Sequence, residues 1–139
     1  MIARPLFTRY MFIIAGLFSI ITGTATATEM RLETSLKNGG NAVILFADNP
    51  LKTMTETAFA VNLNNNEGQP IEDASLEVSL TMPFMPMPPN HPEITWSEDA
   101  YRGTAIFTMA GAWQVNVDIR RLNSTTEKII FDIEMVIMK

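Results

Sequence analysis

The residues of this chain best suited to chemistry lie in one short segment, residues 82–92, with the sequence Met-Pro-Phe-Met-Pro-Met-Pro-Pro-Asn-His-Pro. We call it the Met/Pro loop. It holds three methionines, Met82, Met85 and Met87, and the only histidine of the chain, His91. Thioethers and imidazole are soft, neutral donors that suit Cu(I). The prolines disfavour a helix or a central strand, so these donors are expected on a stiff loop.

Core packing is the simpler explanation for Met82 of this loop and for Met109, a methionine further along the chain. Met82 continues the inward alternation of Val78 and Leu80, and Met109 continues that of Phe107, so both are expected to pack inside. Methionine is a flexible filler of irregular sandwich ends. Either residue could still complete a metal site that opens onto the loop.

Three residues of the loop are least explained by packing. Met85, Met87 and His91 lie among prolines. They are therefore the primary candidate ligands for Cu(I), with the imidazole as the stronger donor. The alternative is an apolar contact surface or a plain rigid loop, because methionine-rich surfaces also bind partner proteins.

The framework around the loop is predicted from alternating apolar and polar residues. Apolar side chains recur at every second position in Leu76–Met82, Trp113–Arg120 and Ile129–Ile137, which is typical of half-buried strands. Turns rich in Asn, Asp, Gly and Pro separate the runs. We predict an all-β, immunoglobulin-like antiparallel β-sandwich of about seven strands, at 42–48, 57–63, 75–82, 93–97, 103–109, 113–120 and 127–138.

The same alternation predicts which side chains are buried. Met135 and Ile137 are expected on the inner face of the last strand, and both tryptophans, Trp96 and Trp113, are expected in the core. The predicted core comprises Val78, Leu80, Phe107, Trp113, Val115, Val117, Phe131 and Ile133.

Strand direction predicts where the methionines gather. If consecutive strands alternate in direction, the C-terminal ends of the first, third, fifth and seventh strands meet at one end of the sandwich. His91 then shares this end with nearly every methionine that follows the N-terminal segment. These methionines are Met54, Met82, Met85, Met87, Met109, Met135 and Met138.

The N-terminus predicts export. Residues 1–27 have the pattern of a signal peptide: Arg4 and Arg9, an apolar run, and a final Ala25-Thr26-Ala27. The apolar run of 11 residues is shorter than the ~20 that span a membrane. We expect cleavage after residue 27, a periplasmic protein and no stable membrane span. The predicted organisation is 1–27 signal peptide, 28–40 lead-in or edge strand, and 41–139 β-sandwich domain.

Composition excludes several function classes. Without Arg4 and Arg9, 8 basic residues face 15 acidic ones, so binding to nucleic acid or anionic lipid is not expected. The chain has no cysteine, which excludes disulfides and thiol catalysis. The single histidine has no nucleophile near it in sequence. The acidic pairs Glu72-Asp73 and Glu98-Asp99 fall in predicted turns, so we do not expect an enzyme.

The order of several short motifs resembles a known family. These are Phe59-Ala-Val-Asn-Leu63, the Met/Pro loop, Tyr101-Arg-Gly103 and Gly111-Ala-Trp-Gln-Val115. Over about residues 42–136 the chain resembles the YtkA-like domain, and more distantly FixH-type proteins. The resemblance implies a small exported immunoglobulin-like domain in membrane and copper-related settings. FixH-type proteins usually keep a membrane anchor, whereas the apolar segment here is short.

Two functions fit these observations. The first is an exported copper-binding or copper-handling accessory protein that holds Cu(I) through Met85 and Met87, with His91 and Met82 or Met109 completing the site. Its partner would be a copper-handling or membrane-complex protein. The alternative is a non-metal accessory module that docks on a membrane complex through the same apolar loop.

Overall fold

The computed structural model describes residues 29–122 and 124–139. The predicted signal peptide lies outside this part and stays a prediction. The described residues form β-strands and no helix. Within them, no helix could span a membrane. The strands are β1 (Met30–Ser35), β2 (Asn41–Phe46), β3 (Leu51–Lys52), β4 (Glu56–Asn64), β5 (Ser75–Thr81), β6 (Ile94–Ser97), β7 (Ala100–Ile106), β8 (Gly111–Arg120) and β9 (Glu127–Ile137).

These strands form two packed sheets. One has the order β1-β2-β4-β7-β6 and the other has the order β3-β9-β8-β5. Neighbouring strands are antiparallel except β3 and β9, which are parallel. The predicted β-sandwich is therefore confirmed. All seven predicted strands are present, and β1 and the two-residue β3 are additional.

The first additional strand comes from the segment predicted as a lead-in or an edge strand. β1 pairs with β2 from Met30 opposite Phe46 to Ser35 opposite Asn41. Its side chains alternate between half-buried and exposed. The edge-strand interpretation is therefore the one that the structure supports.

The core forms where the inner faces of the two sheets meet. All eight predicted core residues are at most 2% exposed. The rings of Phe107 and Trp113 meet edge to face with centroids 5.3 Å apart. Burial of such apolar surface is the main force that holds a domain without disulfides together.

Trp96 corrects the expectation that both tryptophans are buried. Its side chain is 38% exposed because β6 is a short strand at the edge of its sheet. One side of the ring lies against Tyr101, with centroids 4.8 Å apart.

Tyr101 is a buried residue of β7 that holds the connection between β4 and β5. Its hydroxyl donates to the Ile71 carbonyl at 2.9 Å and accepts from the Ala74 N–H at 3.1 Å. Both bonds tie the connection between β4 and β5 to β7. Burial of the phenol raises the pKa of Tyr101 above its ordinary value, because the ionised form loses solvation.

A β-bulge in β9 corrects the prediction for Met135 and Ile137. Gly111 of β8 pairs with Val136 of β9, and Trp113 of β8 pairs with Ile133 of β9. The two pairs are therefore two residues apart along β8 but three residues apart along β9. The extra residue in β9 reverses the alternation. Val136 is consequently buried, while Met135 and Ile137 face solvent. The predicted inward placement of both residues is wrong.

Met109 also departs from its predicted place. β7 ends at Ile106, three residues before the predicted end of that strand. Phe107 stays buried and forms a bridge to Thr53. The chain then turns before β8, so the Met109 side chain is 41% exposed rather than in the core.

Candidate functional site

Strand pairing brings the predicted donors to one end of the sandwich. In the five-stranded sheet, β4 begins beside the end of β7, where Glu56 pairs with Ile106. In the four-stranded sheet, β8 begins beside the ends of β5 and β9. The Met54 N–H donates to the Phe107 carbonyl at 2.8 Å. The predicted convergence of strand ends is confirmed. We call this end, with Met54, the Met/Pro loop and Met109, the methionine end.

Asn90 fastens the far side of the Met/Pro loop to both sheets. Its backbone exchanges two hydrogen bonds with Leu80 of β5, at 2.7 and 3.1 Å. Its side-chain Nδ2 donates to the Ile106 carbonyl of β7 at 3.2 Å. Because β5 and β7 belong to different sheets, one residue links the loop to both.

The near side of the loop turns immediately after β5. The Met85 N–H approaches the Met82 carbonyl at 3.4 Å, which closes a turn over Pro83 and Phe84. This turn brings the backbones of Met82 and Met85 together. The loop therefore begins in a turn and ends at the Asn90 link, with Met87 between them.

Met82 and Met87 are the inner thioethers of the loop. Both side chains are half-buried and pack against the core. The terminal methyl of Met82 lies beside Gly111, where a Cβ would come within 3.2 Å of it. Gly111 has a φ of 127°, which other residues rarely adopt. This glycine therefore leaves room for the Met82 thioether.

Met109 lies in the turn that leads to Gly111. Its carbonyl accepts a 2.9 Å hydrogen bond from the Trp113 indole N–H. This bond fixes the backbone of the turn to Trp113, the largest of the fully buried side chains. Met82 and Met109 are therefore close in the fold through Gly111, which the Met82 methyl approaches and which follows Met109 by two residues.

The remaining donors face outward. The side chains of Met85 and Met54 are 42% and 66% exposed, and His91 is exposed as well. Asn90, the residue before His91, is half-buried. Met135 and Met138 are also exposed.

The chemistry of the site is that of neutral donors. Residues 78–92 and 103–117 contain no Asp, Glu, Lys or Arg. In the part of the chain that the structure describes, no three His, Asp or Glu side chains are grouped to hold a metal ion. Hard cations require oxygen ligands, so the donors at the methionine end fit a soft monovalent ion better.

Sequence reasoning missed two residues that shape this site. The donor spacing alone gives Asn90 no role, although Asn side chains commonly bond to nearby backbone groups in loops. The sequence pattern likewise does not connect Gly111 with the loop. A glycine at the start of a strand, beside a methionine-rich loop, is the signal that could have found it.

Solved structures with the same fold include a copper-related protein. One is the crystal structure of as-isolated FetP from uropathogenic E. coli strain F11, produced in the periplasm of E. coli. It superposes on this chain with a TM-score of 0.55, and the two sequences are 10% identical. The match covers 78% of this chain and 96% of FetP. A copper-bound variant of FetP gives 9% identity, a TM-score of 0.52, and 78% and 97% coverage. At these identities the likeness shows a shared fold.

Sequence comparison supplies the family. No curated protein matches the chain. A family model described as YtkA-like matches residues 34–118, which is more than half of the chain. This chain therefore belongs to the YtkA-like family.

Proposed function

We propose that this protein is an exported copper-handling accessory protein of the periplasm that holds Cu(I) at the methionine end. One observation carries the proposal. An uncharged loop with three methionines is linked to both sheets by Asn90. Two of its thioethers, Met82 and Met87, pack against the core, and the Met82 methyl lies beside Gly111, two residues after Met109. Such a stiff group of soft donors suits Cu(I), because little ordering is needed when the ion binds.

The proposed ligands are two central thioethers, one imidazole and one further thioether. Met85 and Met87 are the central thioethers, one exposed and one half-buried. The exposed His91 would add an imidazole. The half-buried Met82 or the exposed Met109 would complete the coordination. Cu(I), when bound, would act as a soft Lewis acid. The side chains would supply neutral donors, and the thioethers need not lose a proton to bind it.

The comparisons support a copper role without fixing the ligands. A protein of the same fold, FetP, has been obtained in a copper-bound form. The short apolar run and Ala25-Thr26-Ala27 support export through a cleaved signal peptide. We propose a binding rather than a catalytic role, and a partner that is itself a copper-handling or membrane-complex protein.

X-ray absorption at the copper edge tests this function. The Cu(I)-loaded protein should show sulfur scatterers, and Met85→Leu combined with Met87→Leu should lose most of that signal. The double substitution keeps apolarity and nearly the same volume, so the fold should persist. Zn(II) should bind poorly, since it prefers thiolate, imidazole and carboxylate. A copper spectrum with only nitrogen and oxygen neighbours would contradict the proposal.

A second function is favoured by one specific feature, the exposed apolar surface of the loop. The Phe84 side chain is 90% exposed and stands beside Met85. Apolar side chains of this kind in an uncharged surface commonly mark a docking site. In this alternative the protein binds a membrane complex through Phe84, Met85 and Met87, without metal.

Thermal unfolding separates the two functions. A ligand at 100 times its Kd stabilises a fold by about 2.7 kcal/mol, which corresponds to a Tm increase of several degrees for a domain of this size. If the protein binds copper, saturating Cu(I) should therefore raise its Tm. An unchanged Tm with saturating Cu(I) favours the docking function.

A further inference from the structure

We propose that Met85 is an oxidation site through which a two-electron oxidant such as hydrogen peroxide controls copper binding. This inference rests on the proposed function. It adds a modification site and its chemical consequence to the methionine end. The argument starts from the different exposure of the thioethers, because methionine oxidation depends on access of the oxidant to sulfur.

The thioethers of this chain fall into two classes of exposure. Met85 is exposed, as are Met54, Met109, Met135 and Met138. Met82, Met87 and Met30 are half-buried and pack against the core. Of the loop methionines, Met85 alone is open to solvent. It is therefore the loop ligand that an oxidant reaches first.

Peroxide meets no thiol on this protein, because the chain contains no cysteine. Its sulfur targets are therefore thioethers. Attack of the Met85 sulfur lone pair on peroxide forms an S–O bond and breaks the O–O bond. The sulfur loses two electrons, the peroxide gains them, and the second oxygen leaves as water.

The product changes both properties on which the site depends. A sulfoxide is polar, and its exposed donor is a hard oxygen rather than a soft thioether sulfur. Cu(I) prefers the soft donor, so the oxidised side chain is a poor ligand. Because Met85 sits in an exposed turn, the added oxygen meets solvent and does not disturb the core. Oxidation should therefore weaken copper binding while the fold stays intact.

Peptide mass spectrometry after a short peroxide treatment tests the order of oxidation. In the metal-free protein, sulfoxide should form quickly at the exposed methionines and slowly at the half-buried Met30, Met82 and Met87. The exposed methionines are Met54, Met85, Met109, Met135 and Met138. Ag(I) serves as a soft ion that peroxide does not cycle between oxidation states. It should protect Met85 and leave Met135 and Met138 as reactive as before. Slow oxidation of Met85 in the metal-free protein would overturn the inference.

Competition with a Cu(I) chelator tests the consequence. Peroxide treatment should weaken Cu(I) binding at least about tenfold, a loss that removal of an outer-shell partner alone can cause. The Met85→Leu variant should start near this weakened affinity and lose clearly less on treatment than the unsubstituted protein does. The control variant Met138→Leu, which removes an exposed thioether outside the methionine end, should respond as the unsubstituted protein does.

The outcomes separate this inference from the proposed function. If the untreated protein does not retain Cu(I), both are wrong. If the untreated protein binds Cu(I) and the form with sulfoxide at Met85 binds it equally well, only the oxidation site is wrong. A further loss in treated Met85→Leu, equal to that of the unsubstituted protein, would also overturn it.

Discussion

Leu80 and Asn90 exchange two backbone hydrogen bonds, of 2.7 and 3.1 Å, across the base of the Met/Pro loop. Leu80 is a buried residue of β5, so the loop is attached to the core at this point. The Asn90 side chain then reaches β7 of the other sheet. The position of the thioethers is therefore set by the sandwich itself.

The first prediction concerns this attachment. Asn90→Ala removes the bond from Nδ2 to the Ile106 carbonyl but keeps the backbone bonds to Leu80. We expect a loss of about 0.5–1 kcal/mol in the free energy of unfolding, the usual net value of one such bond. Hydrogen exchange should become faster at the Leu80 and Asn90 amides. Asn66→Ala, at an exposed turn, is the control, and unchanged exchange in Asn90→Ala would contradict the role.

The second prediction compares the two tryptophans. Trp113→Ala should cost about 3–5 kcal/mol, because it removes a large buried side chain. Trp96→Ala should cost about 1 kcal/mol, since its half-exposed ring contributes mainly the edge contact with Tyr101. Denaturant unfolding followed by circular dichroism measures both. Equal costs would show that the burial difference does not govern stability here.

The third prediction tests the β-bulge in β9. Val136→Ala should destabilise the protein by about 2 kcal/mol, from lost methyl burial and the cavity that remains. Met135→Ala, at an exposed position, should stay within about 0.5 kcal/mol of the unsubstituted protein. The reverse order of these costs would restore the simple alternation and rule out the bulge.

The fourth prediction uses the buried phenol of Tyr101. Tyr101→Phe leaves the Ile71 carbonyl and the Ala74 N–H without their partner, which should cost about 1–3 kcal/mol at neutral pH.

The same residue gives a pH dependence. The pKa of Tyr101 is raised in the folded state above the ordinary value of 10.0. The folded state therefore holds the phenol proton more tightly than the unfolded state. This contribution is full below the unfolded pKa and is lost as the pH rises through the folded pKa. Stability should fall above about pH 10 in the unsubstituted protein and fall less in Tyr101→Phe. Parallel alkaline curves for the two proteins would contradict this cause.

The fold was largely predictable because alternation in a sandwich follows burial. Val115 and Val117 are buried as predicted, since β8 is an unbroken central strand. The prediction failed for Met135 because the bulge depends on pairing with a distant strand, which local alternation does not contain. It failed for Met109 because a strand end is set by where pairing stops.

The candidate site was predictable in part. The spacing of Met82, Met85 and Met87 identified the loop, and strand direction placed Met109 at the same end. The link through Asn90 and the space beside Gly111 arise from contacts between distant segments, so one segment of sequence does not reveal them. The metal ligands themselves stay predictions.

The most direct test of the copper proposal is competition for Cu(I) with a chelator of about micromolar affinity. The unsubstituted protein should take Cu(I) from the chelator in a ratio of one ion per chain. Met85→Leu with Met87→Leu should bind at least about tenfold more weakly, because two soft donors are lost. The matched control, Met135→Leu with Met138→Leu, removes two exposed thioethers outside the methionine end and should bind as the unsubstituted protein does. Failure of the unsubstituted protein to compete, or equal binding by the Met85 and Met87 double variant, would contradict the proposal.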